Sequence, residues 1–137
     1  MTRINENTII GNTNKTLFDT IEIVESGSNV NGNYIKFNNG TMICYQSITG
    51  SANITHGMGS LYRTTTAIEL PNFPVSFISP PVVSIMPSAP TDYIFFWGTA
   101  QYNEPTINNA GSLWLWRPTS ASNVQYRIGV IAIGKWK

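Results

Sequence analysis

The sequence predicts an all-β domain, an antiparallel β-sandwich that assembles through one of its sheet faces. Three observations point there. Apolar runs are short and are bounded at close intervals by Gly, Pro and Asn, which is the punctuation of strands and turns. Almost no stretch sustains a 3.6-residue apolar period. The clearest strands are apolar on both faces: in SLWLWR, Leu113 and Leu115 take one side and Trp114 and Trp116 the other. In YRIGVIAIGKW, Ile128, Val130 and Ala132 oppose Ile131 and Ile133. A two-layer sandwich covers one face of each sheet. The second face therefore needs a cover; a second subunit is expected, and a long loop is the alternative.

In chain order, MTRINENTIIGNTNK is polar and irregular, and TLFDTIEIVE fits a strand or a brief helix. Residues 1–25 are expected to form an attachment arm. The boundary falls at ESGSN, Glu25 to Asn29, where Ser and Gly suit a turn, leaving 26–137 as the sandwich. NYIKF and TMICYQSI flank the NNG of Asn38, Asn39 and Gly40. That is a hairpin, and Asn-Gly there predicts a type I′ turn. Further strands are expected at Ala67–Glu69, Phe77–Ser79, Val82–Met86, Tyr93–Ala100, Ser112–Arg117 and Gln125–Gly134. Pro80 and Pro81 cannot donate to a ladder, so they mark a strand start or an edge.

At 137 residues the chain is one domain, able to bury roughly two-thirds of its unfolded surface without a metal or disulfide framework. Charged residues make up only 11%, against about 25% in ordinary domains, and Asn, Thr and Ser fill the deficit. Such a neutral polar surface suits contact with protein or sugar. A net charge of +1 with no basic cluster removes the electrostatic term behind nucleic-acid binding. The charge-free stretch Leu70–Ala89 is broken by five prolines, so no apolar run of about 20 residues could insert in a membrane. No export signal opens the sequence, and the single Cys44 forms no internal disulfide. Both fit folding in a reducing cytoplasm.

Catalytic chemistry is thin. His56 is the sole histidine and is expected in a Gly-rich loop, THGMGS, with no carboxylate beside it, so a Ser-His-Asp arrangement would need Asp19 or Asp92 from far away. Three copies in a trimer could meet at an axial ion, but no HxH spacing supports a metal site. Cys44 alternates with Met42 and reads as core. A glycosidase needs two carboxyl groups about 5 to 10 Å apart; Asp92 and Glu104 are the candidates, without evident pairing. No glycine pattern signals a cofactor. The chain is expected to have no catalytic residue, no metal and no cofactor.

The binding chemistry concentrates between Asp92 and Arg117, where Tyr93, Phe95, Phe96, Trp97, Tyr102, Trp114 and Trp116 mix with amides and charges. Aromatic faces take the C–H side of a sugar while amides and carboxylates bond its hydroxyls. The candidate saccharide site is Asp92, Tyr93, Trp97, Tyr102, Asn103, Glu104, Trp116 and Arg117. Phe95, Phe96 and Trp114 read as packing instead. Tyr102, Asn103 and Glu104 are expected on an exposed, Pro-punctuated loop.

SGSNVNGNYIKFNNGTMICYQSI at Ser26–Ile48 resembles the opening of the C-terminal domain of many phage tail fibre proteins. PVSFISPPVVSIMP at Pro74–Pro87 and VQYRIGVIAIGKWK at Val124–Lys137 are similar to strands shared by those fibre tips and H-type lectin domains. The resemblance implies a homotrimeric tip that contacts a glycan or protein receptor on the bacterial surface, is joined to other tail proteins through the N-terminal arm, and is located in the virion. Two other functions stay open: a structural virion module without a ligand, and a polysaccharide depolymerase. The region Asn103–Ser122 matches no defined sugar site, so no lectin binding residue is carried across.

Overall fold

The computed structural model describes residues 20–90 and 99–137, with residues 99–102 followed in their backbone only. Among the described residues there are nine strands and no helix: β1 (Ile23–Asn29), β2 (Gly32–Phe37), β3 (Thr41–Met58), β4 (Leu61–Thr64), β5 (Ile68–Glu69), β6 (Val82–Ser88), β7 (Thr99–Asn103), β8 (Ser112–Arg117) and β9 (Ala121–Lys135). Every strand pairing is antiparallel. The 18-residue β3 is the spine. Along one flank it pairs with β9 from Thr41 to Ile54. The other flank is shared by β2, opposite Met42–Tyr45, and β4, opposite Ile54–Met58. β1 lies beyond β2, and β6 beyond β9. β8 joins this sheet to a second: Trp116 and Arg117 pair with β4, while Ser112–Leu115 pair with β5 and β7.

Strand alternation builds the core. Met42 and Cys44 of β3 and Ile128, Val130 and Ala132 of β9 face inward and are at most 1% exposed. They share one cluster with Leu113 and Leu115 of β8, Ile68 of β5, and Leu70, Phe73 and Phe77 of the segment that follows. Phe73 and Phe77 meet edge to face, with ring centroids 5.1 Å apart. The C-terminus is latched to the β2–β3 hairpin: Trp136 donates its ring N–H to Phe37 O (2.8 Å) and its main-chain N–H to Gly40 O (2.9 Å). The Lys36 ammonium sits 5.0 Å from the Trp136 ring centroid and 2.9 Å from Glu25 Oε1, which ties β1 to the same corner.

The hairpin at Asn38–Gly40 forms where expected but with different geometry. Gly40 N–H bonds Phe37 O (3.1 Å), and only Gly40 (φ 91°) has positive φ within the turn. Type I′ would need positive φ at two central residues; this is the three-residue loop in which a glycine follows a type I turn. Asn39 Oδ1 accepts the Thr41 N–H instead of bending its own backbone. A second hairpin joins β1 to β2 through Val30 and Asn31, and it displaces the expected turn at ESGSN: those five residues all lie in β1. A Cβ on Gly27 would meet the Tyr34 ring at 3.0 Å, so the glycine gives that ring room.

Three other expectations change. Phe77–Ser79 is not a strand. Phe77 N–H bonds Ile107 O and Ile78 N–H bonds Lys135 O, single bonds in a segment bracketed by Pro74, Pro80 and Pro81, which cannot sustain a ladder. THGMGS is not a free loop: His56 pairs with Arg63 across β3 and β4, and Gly59 (φ 66°) turns the chain. Tyr102 and Asn103 end β7 rather than occupying a loop, held by the Asn103↔Ser112 pairing beyond a register shift.

Gly32 offers a direct test of this geometry. Its φ is +127°, and a Cβ there would stand 2.6 Å from Tyr45 O. Gly32→Ala combines a disfavoured backbone region with a clash against main chain, so it is expected to cost about 2 kcal/mol. Denaturant unfolding of the two proteins measures it.

Candidate functional site

Two surfaces stand out, the outer face of the large sheet and the end of the β7–β8 ladder. The inward residues of β3 and β9 leave their alternates outward. Register aligns these into rows: Ile35, Ile43, Ile133 and Val82 cross β2, β3, β9 and β6, and Asn33, Tyr45, Ile131 and Ser84 cross beside them. Met86 extends the apolar area over Gly129. Within the single chain Val82 is 80% exposed, Met86 51%, Ile133 48%, Tyr45 44% and Ile131 38%. Contiguous apolar area of this kind marks an interaction surface. The doubly apolar character of β9 was legible in the sequence; the contributions of Ile43, Tyr45, Val82 and Met86 depend on register, although the alternation in TMICYQSI was the available signal.

The sugar-site candidates are only partly gathered. Asp92, Tyr93 and Trp97 lie outside the described residues, and Tyr102 is placed by its backbone alone. Asn103 is exposed and donates Nδ2 to the buried Ser112 Oγ at 3.0 Å. Glu104 follows it, also exposed. Trp116 and Arg117 sit at the other end of β8, about 13 and 17 Å from Ser112 along the strand at 3.3 Å per residue. Arg117 shares the inward side with Leu113 and Leu115 and is 2% exposed, its guanidinium donating to Thr119 O at 3.1 Å. That places Arg117 behind the surface rather than on it. Trp116 is half-buried and its ring N–H is buried without a partner among the described residues. Trp114, half-buried too, carries the Arg63 guanidinium 3.8 Å from its ring centroid, a stacked cation that covers part of the ring.

The segment after Glu104 is firmly held. Thr106 Oγ1 accepts the N–H groups of Asn108 and Asn109, both at 3.1 Å. Ser76 Oγ donates to Asn108 Oδ1 (2.8 Å), while Phe73 N–H and Phe77 N–H bond Asn108 O and Ile107 O. Glu104 and Asn103 thus stand at the edge of a braced platform, the arrangement that lets a surface contact form without ordering a loop first.

Among the described residues no group of His, Cys, Asp and Glu is placed to hold a metal, and His56 is exposed at the end of β3. Cys44 is buried at 0% exposure, and burial pushes its thiol up to about 11 from 9.0. It is a core residue rather than a nucleophile. A thiol reagent is expected to leave it untouched in the native protein and to label it once denatured. Because the folded value is raised, its contribution to stability is complete below about pH 9 and falls away towards pH 11.

Comparison with known proteins places this architecture. No family model matches the chain, and no curated protein matches it either. Solved structures do. An N-truncated R1-type pyocin tail fibre superposes with a TM-score of 0.53 at 17% identity, covering 96% of this chain and 99% of that one. A longer P. aeruginosa R1 pyocin fibre gives a TM-score of 0.47 at 17% identity over 94% of this chain and 32% of that one. The Pseudomonas phage phi297 tailspike gives 0.47 at 13% identity over 72% of this chain and 16% of that one. Over 96% of its length, then, this chain is similar in fold to the N-truncated R1-type pyocin tail fibre.

Proposed function

We propose that the chain is the tip domain of a phage tail fibre, acting as a homotrimer that attaches the virion to a saccharide on the bacterial surface. The carrying observation is the broad apolar face of the large sheet, left partly bare by its own chain, on a fold shared with a solved tail fibre across nearly the full length of both. Fibres are made of several chains side by side, and a face of this kind is what such packing covers. Closed symmetry buries it without leaving a surface for open-ended growth. The number three comes from the fibre resemblance of the sequence rather than from the sheet itself. Residues 1–25 are read as the arm towards other tail proteins; residues 1–19 lie outside the described residues, and Ile23–Glu25 belong to β1 of the folded unit. At the end of β7, Asn103 and Glu104 are exposed on a braced platform, next in sequence to Tyr102. Three such sites on one trimer would compensate by avidity for modest affinity at each.

The test is adsorption of labelled protein to a panel of bacterial strains, with melting curves alongside. Tyr102→Ala is expected to lower site affinity about fivefold, on the order of 1 kcal/mol for a lost aromatic contact, and Glu104→Ala is expected to weaken adsorption too. Unchanged adsorption by both variants at unchanged stability would move the site off β7. Adsorption by wild type to no strain or cell-wall glycan would favour the purely structural module. Degradation of host polysaccharide by wild type, lost in Glu104→Ala, would favour the depolymerase.

A further inference from the structure

The molecule has a second concave feature, set apart from the β7–β8 end. Where β2 has ended and β4 has not begun, β3 runs from Gln46 to Ala52 with no strand beside it on that flank among the described residues. A cleft of about 560 Å³ opens at the near end of this gap, between the β1–β2 turn, β3 and Pro71. That volume suits a small ligand. Its walls are fixed. Gln46, 6% exposed, donates Nε2 to Asn31 O (2.8 Å) and Asn72 O (2.7 Å), which orients its carboxamide and leaves Oε1 buried without a partner among the described residues. Asn29 donates Nδ2 to Pro74 O (3.0 Å) and accepts the Asn31 N–H (2.8 Å).

The lining has a definite chemistry. No charged side chain takes part. Asn31, Asn33, Tyr45 and Ser47 line the cleft, and their side chains have no hydrogen-bond partner among the described residues. Carboxamides and hydroxyls each both donate and accept, as sugar hydroxyls do. Val30, Pro71 and the Tyr45 ring add apolar surface for a C–H face. We propose that this cleft binds a neutral saccharide unit, with Asn31, Asn33 and Ser47 bonding its hydroxyls against Tyr45. An extended peptide laid along the open β3 edge would use main-chain groups and leave these four side chains without a role. Asn33 and Tyr45 also form the β2–β3 end of a row on the outward sheet face, so the proposal requires packed copies to cover the β9–β6 part of that face and leave this end open. Binding is read on the purified assembly, whatever that assembly attaches to.

Titration of the full-length ¹⁵N-labelled protein with glucose, galactose, N-acetylglucosamine and glucuronate, up to tens of millimolar, tests it. At least one neutral sugar is expected to shift the side-chain amides of Asn31 and Asn33 and the main chain of Tyr45–Ile48, with glucuronate weaker. Asn33→Ala and Ser47→Ala, on different strands, should each weaken that binding about tenfold without lowering the melting temperature. Silence around the cleft for all three neutral sugars would overturn the proposal. So would glucuronate binding as well as the neutral sugars, or both variants binding like wild type. Shifts along Gln46–Ala52 on adding an alternating Thr-Val hexapeptide, with the sugars silent, would assign the gap to a peptide strand instead.

Discussion

Ile133→Asp is expected to split the assembly into folded single chains. In the isolated chain Ile133 points outward and is 48% exposed, so an aspartate there keeps its hydration, and the fold should lose no more than about 1 kcal/mol through weaker strand propensity. The outcome changes if the sheet face is covered by another copy. Ile133 lies mid-row, with Ile43 on one side and Val82 on the other, and burying an unpaired carboxylate among them costs several kcal/mol. Dissociation with a native circular dichroism spectrum is therefore predicted, and Ile131→Asp in the adjoining row should act in the same direction. A variant that keeps the mass of the wild type would show that this face is not the interface. A variant that unfolds outright would show that the single chain cannot stand alone.

The second large effect is in the core. Phe77→Ala should destabilise the fold by about 3–4 kcal/mol, the usual cost of emptying a buried aromatic site, seen as a fall in melting temperature of roughly 10 °C. The ring is 2% exposed, meets Phe73 edge to face, and lies against Gly134 and Pro81. A Cβ on Gly134 would stand 2.9 Å from Phe77 Cδ1, so ring and glycine fit as a pair that joins the irregular 71–81 segment to β9. Oligomer mass should persist in Phe77→Ala at temperatures where it remains folded, because the outer sheet face is untouched. Loss of mass without loss of fold would contradict that separation of core from interface.

The parts of the fold legible in the sequence were those carried by local alternation. SLWLWR forms β8 over the expected residues, and Ile128, Val130 and Ala132 turn inward while Ile131 and Ile133 turn outward. The rest is set by partners distant in sequence. HGMG looks like a loop in isolation, yet His56, Gly57 and Met58 extend β3 because LYR folds back to pair with them. FIS has strand composition, but flanking prolines leave it with isolated bonds to Ile107 and Lys135. ESGSN has turn composition, but Tyr34 lies over Gly27 and β2 supplies a ladder. Residue type likewise says little about which side a residue takes near a site. Arg117 at the end of an aromatic strand reads as a surface ligand group, and the in-out phase of β8 sends it inward with Leu113 and Leu115. The amide cleft was invisible for the same reason: its lining comes from the β1–β2 turn, β3 and Pro71, which only the folded register brings together.

Sedimentation equilibrium of the wild-type protein across a wide dilution range reads out whether the bare apolar face of the β2–β3–β9–β6 sheet is covered by copies of the same chain. A single species at three times the 15.1 kDa chain mass is expected, steady on dilution. A species of 15.1 kDa at every concentration would mean that this face stays bare in solution.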